Sequence, residues 1–146
     1  MSLLSDIVGY LTDAGHIGTD GDGFTWRTPS RGGFEDRTIL GNDTVIMLED
    51  LPGAGPPTHD DGMDELAFRI LVRHKQHYYD ACRTKWAAVF ADLQNQVTAI
   101  NAYTASISPV GSQYALIRAD QGGPAVTYDE KDRPHMSAVF RVLRIL

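Results

Sequence analysis

The chain has very little cysteine: Cys82 is its only thiol, which excludes an intrachain disulfide and a zinc cage built from one chain's thiolates. Basic residues are outnumbered, 13 Lys and Arg against 19 Asp and Glu, for a formal net charge of −6. Groove-bound nucleic acid needs a clustered excess of cations, so nucleic acid is disfavoured as a ligand, and an anionic membrane surface likewise. Long apolar runs are missing too. No stretch approaches the ~20 apolar residues of a membrane span, and residues 1–6 lack the basic and apolar regions of a secretory leader. A soluble protein made in a cytosol is expected.

Several catalytic signatures are absent as well. There is no Gly-x-Ser-x-Gly elbow, no phosphate-cradling Gly-x-x-x-x-Gly-Lys, and no Gly-x-Gly-x-x-Gly between a strand and a helix. Asp20-Gly21-Asp22-Gly23 fails as a calcium loop on register, because with Asp20 and Asp22 at loop positions 1 and 3 the required glycine falls on Thr25. His74 and His77, with His59, Asp60, Asp61 and Asp64 before them, have the residue types of a His/carboxylate metal site, but nothing supplies the Glu of a zincin motif. Exposed polar residues at a helix entry are the plainer reading. Trp26, Tyr78, Tyr79, Trp86 and Tyr103 could stack nucleobases only beside a basic groove, so packing in core and interfaces is expected of them.

What the chain does have is enough length, 146 residues, to bury roughly two-thirds of its unfolded surface in one domain. Leu4, Ile7, Val8 and Leu11 recur at helical spacing, with Gly15 to stop the helix. Residues 15–33 are a Gly-rich insertion around one short strand at 24–27. Residues 43–49 read as a buried strand that ends in turn chemistry, Asp50-Leu51-Pro52-Gly53. The loop at 52–64 carries prolines, glycines and acids without apolar periodicity, and loops of that length in compact domains tend to be functional or disordered.

Leu66, Phe68, Ile70 and Val72 then alternate as a strand that Arg73 closes. Tyr78, Cys82, Trp86, Val89 and Leu93 form a helical stripe over 76–94, with Lys75, Asp80, Lys85 and Asp92 elsewhere on the wheel, which makes Cys82 a core thiol. Further strands are read at 103–107, 114–118, 125–128 and, from Met136, Ala138, Phe140 and Val142, at 136–143. Strands that come in runs imply an α+β fold, a mainly antiparallel sheet of four to six strands with two helices packed on one face. Its middle is expected at 66–73 and 136–143, the longest and most regular strands.

Three stretches together resemble the tail terminator proteins of long-tailed bacteriophages, also called minor capsid or tail-completion proteins. The first is Phe68-Arg69-Ile70-Leu71-Val72-Arg73 followed by Tyr78-Tyr79-Asp80-Ala81. The second is Ile107-Ser108-Pro109-Val110-Gly111 before a strand, and the third is Asp129-Glu130-Lys131-Asp132-Arg133-Pro134 leading into Ser137-Ala138-Val139-Phe140-Arg141-Val142. With the opening helix and the Pro-rich loop, the resemblance spans residues 3–143. It departs from the pattern in the Gly/Asp-rich insertion and in Glu65 at the opening of a strand.

The resemblance implies a virion structural protein, not an enzyme and without a cofactor. It would form a homo-oligomeric ring, six-membered in the family, on the end of the tail tube, stop tube growth and present the surface for the head-tail connector or neck protein. DNA would only pass through the lumen, and an acidic lumen would repel its phosphates. A closed ring needs a heterologous interface, for which the two charged loops are the candidates: Asp60, Asp61 and Asp64 in one, Asp129, Asp132 and Arg133 in the other, with Arg133 as the charge-paired anchor. Alternatives are a head-closure or neck protein and, from a different class, a small metal-dependent hydrolase using His59, Asp61, His74 and His77. A stand-alone ligand-binding domain has no positive sequence feature behind it.

Overall fold

A computed structural model describes residues 3–18, 24–27, 44–51, 63–108, 113–120 and 125–145. Its elements are α1 (Leu3–Asp13), β1 (Thr25–Arg27), β2 (Val45–Leu51), β3 (Met63–Arg73), α2 (Tyr79–Leu93), α3 (Val97–Ile107), β4 (Gln113–Ala119), β5 (Thr127–Tyr128) and β6 (Pro134–Ile145). The strands form one sheet in the order β1-β2-β3-β6-β4, with β5 also paired to β6. Among the described residues only the β1–β2 pair is parallel. The fold is α+β on a mainly antiparallel sheet, as the run of strands implies.

The long central pair explains the stability of this sheet. β3 and β6 are in register from Met63↔Ile145 to Arg73↔His135, and alternation sends Phe68, Ile70 and Val72 of one and Met136, Ala138, Phe140 and Val142 of the other into a single core. Phe68 and Phe140 are directly opposite and stack with ring centroids 5.3 Å apart, a cross-strand aromatic pair of the kind that fixes register. All three helices add to that core, through Leu3, Ile7 and Leu11 of α1, Cys82, Trp86, Val89 and Leu93 of α2, and Ile100 of α3. On the other face Val45, Met47 and Leu71 make a small separate cluster.

The segment at 103–107 is not a strand. It is the second half of α3, so among the described residues the sheet carries three helices rather than two. Tyr103, Thr104 and Ile107 favour strands locally, but Ile100 and Thr104 are buried one helical turn apart and Tyr103 packs edge-on against Tyr10 of α1, centroids 6.2 Å apart. Tertiary packing overrides the local preference. Asn95, at φ 58°, breaks what would otherwise be one long helix; Asn tolerates the left-handed region better than most residues.

Lys85 lies off the apolar stripe of its helix and is buried all the same. It is 8% exposed, with Nζ donating to the His16 carbonyl at 2.9 Å and lying 4.6 Å from the Phe24 ring centroid. Its amine is satisfied inside, while the stem adds apolar contact. Tyr78, read as part of the buried stripe, stands half exposed just before α2.

The outer edge of β4 is closed by the junction between α2 and α3. The Asn95 backbone N–H donates to the Ile117 carbonyl at 3.0 Å. Gln94 Oε1 accepts from the Ala119 N–H at 2.8 Å. Asn101 bonds both backbone groups of Tyr114, accepting from its N–H at 2.8 Å and donating to its carbonyl at 2.9 Å. Three amide-bearing residues thus occupy hydrogen-bonding groups that an edge strand otherwise leaves open.

Candidate protein interface

Two connections meet at one end of the central strands. The first leads from β3 into α2: the His74 N–H donates to the Pro134 carbonyl at 3.0 Å, the Tyr78 N–H to the Lys75 carbonyl at 3.1 Å, and His77 turns the chain at φ 71°. The His74 ring stacks on Tyr78 with centroids 5.0 Å apart and meets Phe24 edge-on at 5.4 Å. Tyr79 opens the helix, and Arg83 one turn on donates to its hydroxyl at 3.2 Å.

The second connection, from β5 to β6, is organised by Asp129. One carboxylate oxygen accepts from the backbone N–H groups of Lys131 and Arg133, at 2.9 and 3.0 Å, and the other accepts from Arg133 Nε at 2.8 Å. The Asp129 backbone closes the turn, donating to the Arg133 carbonyl and accepting from the Asp132 N–H. Burial pushes the carboxyl's pKa up, but the Arg133 backbone and side-chain bonds, the Lys131 N–H and the guanidinium charge outweigh it and hold the group below its usual range. Asp132, at φ 57°, takes the left-handed position that the tight turn needs.

Between the two connections lies an open cleft lined by Gln76, His77, Tyr79, Tyr128 and Asp132. A second, smaller hollow on the helix-free side is lined by Met47, Leu71, Arg73, Asp129 and His135. Exposed tyrosines around a concavity are the usual anatomy of a protein contact, since Tyr supplies large, stiff contact area.

The residues singled out from the sequence separate in space. Asp129, Asp132 and Arg133 share this end. Asp64 sits in β3 opposite Arg144 and pairs with it at 2.9 Å; the nine residues from Asp64 to Arg73 put it about 30 Å away. Asp60, Asp61 and His59 lie outside the described residues, as do the Asp20-Gly21-Asp22-Gly23 turn and most of the 52–64 loop. Arg133 is turned inward, 4% exposed and bound to Asp129 of its own chain, so its charge holds the turn together instead of facing a neighbour. Among the described residues no three His, Cys, Asp or Glu side chains converge on a metal position.

The sequence does not single out Gln76 or Tyr128 as contact residues, and Tyr79 stands only among the aromatics expected to pack in core or interface. A faint signal existed: Tyr79 sits beside the apolar stripe of α2, and Tyr128 precedes a charged turn. Only strand pairing brings the two together. Comparison with protein-family models and with curated sequences finds no match to the chain.

Proposed function

We propose that the protein is a structural component of a long-tailed phage particle that forms a ring on the tail tube, ends tube growth and offers the joining surface for the head. What supports this reading is where the quoted motifs lie in the α+β fold. The end of β3 and the start of α2, which carry the first motif, meet the 129–134 turn and β6, which carry the third, through the Arg73↔His135 pairing and the His74 to Pro134 hydrogen bond. The two stretches, far apart in sequence, build one surface with exposed tyrosines and a deep-set ion pair beneath it. Such a surface suits assembly, because the Asp129–Arg133 pair stiffens the turn and leaves the side chains of Tyr128 and Asp132 outside.

Absolute mass by light scattering across a concentration series, with the protein alone and with sheared tail tubes of the phage that encodes it, tests the proposal. Rings, or attachment confined to tube ends under the electron microscope, are the expected outcome. A fixed monomer indifferent to tubes overturns the reading. Attachment to the head portal but not to tubes would move the assignment to a neck protein.

A further inference from the structure

Three of the five large apolar side chains exposed among the described residues, Tyr78, Tyr79 and Tyr128, belong to the end of the molecule that holds the cleft. Two residues lining that cleft, His77 and Asp132, are held in left-handed backbone, which non-glycine residues adopt at a cost and which concentrates at functional sites. The Asp132 carboxylate and the Tyr128 hydroxyl have no hydrogen-bond or ion-pair partner among the described residues. Aromatic faces beside a free carboxylate form a receptor for a planar cation: the ring quadrupoles attract the charge and the carboxylate accepts its N–H groups. Arg83 displays half of that recognition within the chain, with its guanidinium carbon 5.9 Å from the Tyr79 ring centroid.

The complementary group is also present. Arg118 on β4 is exposed and directly opposite Arg141 of β6, a like-charge pairing that disfavours the sheet. Arg141 is relieved by Asp120 at 2.6 Å and Glu65 at 3.7 Å, whereas Arg118 has no partner among the described residues. Six positions along β6 separate the Arg118 pairing from the β5 pairing at His135, about 20 Å, beyond what one side chain spans. Arg118 cannot fill the cleft of its own chain.

We propose that Arg118 of one copy enters the cleft formed by Tyr79, Tyr128 and Asp132 of a second copy. The contact joins two different patches, the heterologous geometry that a ring requires, and in that respect it rests on the ring reading above.

Self-association measured by light scattering tests it in wild type, Arg118→Asp, Asp132→Arg, Asp132→Asn and the Arg118→Asp/Asp132→Arg double variant. Asp132→Asn removes the charge while keeping a residue that accepts left-handed backbone, so a lost turn is not mistaken for a lost contact. Each single variant is expected to weaken association at least about tenfold, and the double swap to recover to within about threefold of wild type. Arg118→Asp should at the same time raise the Tm of the monomer, since it replaces the repulsion with Arg141 by an attraction, an effect no merely structural role for Arg118 predicts. Rings that persist unchanged in every variant, or a double variant no better than the singles, overturn this contact and leave the ring reading standing. A wild-type chain that never associates, at any concentration or at tube ends, overturns both.

Discussion

Asp129 and Arg133 show how one residue pair sets both a turn and a pH dependence. The carboxyl's folded pKa lies below its ordinary value, so its contribution to stability is complete above the unfolded carboxylate value and is lost as pH falls through the depressed one. Between about pH 5 and pH 3, wild type should therefore lose more urea resistance than Asp129→Asn. Arg133→Glu sets a second carboxylate against the first at a position 4% exposed and should destabilise the fold by about 3–5 kcal/mol, measured by the same unfolding. It is a folding variant, unsuited to testing assembly. Cys82 carries a different prediction: burial raises its thiol to about 11, with the His74 backbone N–H pulling weakly the other way, and Sγ sits 3.5 Å from the Pro134 carbonyl. A disulfide reagent near neutral pH should label it at the rate of unfolding, and at once in denaturant. Asp6 is fully buried on the apolar side of α1, bound to the Tyr114 hydroxyl, with its other oxygen unpartnered among the described residues. Tyr114→Phe strands that carboxyl and should cost about 1–3 kcal/mol in urea unfolding.

At the scale of elements, the β3–β6 pair was legible because strict alternation over Leu66, Phe68, Ile70 and Val72 and over Met136, Ala138, Phe140 and Val142 admits one core-facing register. Helix α2 was legible for the same reason at a different period. Helix α3 was not: Val97, Thr98, Ile100, Thr104 and Ile107 are β-branched and favour a strand, and only the packing of Ile100, Thr104 and Tyr103 on distant partners decides the matter. Gly9 marks that packing. A Cβ there would collide with the Tyr103 hydroxyl and ring, so α1 approaches α3 closely only because the position is bare. The cleft was half legible, through the charged turn that supplies Asp132 and through Tyr79 among the contact aromatics, but the meeting of Tyr79 with Tyr128 was not, because it depends on strand pairing and not on spacing. Asn101 offers the sharpest element-scale test. Asn101→Ala removes both bonds to Tyr114 and should cost about 1–3 kcal/mol, with the Tyr114 amide exchanging its hydrogen faster than in wild type.

For the whole molecule the acid excess is the governing quantity. At a net charge of −6 a free chain repels its copies and any DNA, and any self-association would have to be driven by local complementarity against that background. Double-stranded DNA is therefore expected to show no retardation with the protein at physiological salt. If the proposed ring forms, a reconstruction of it should find the lumen lined by carboxylates, and a lumen lined by Lys and Arg would contradict the proposed role. The closed edge of β4 bears on the same question from another side. Because Gln94, Asn95 and Asn101 already occupy backbone groups of that strand, crowded chains are hindered from zipping together there into fibrils. Copies that meet on that flank are left to recognise one another by side-chain fit, which is what the proposed role as a late-joining ring subunit would ask of it.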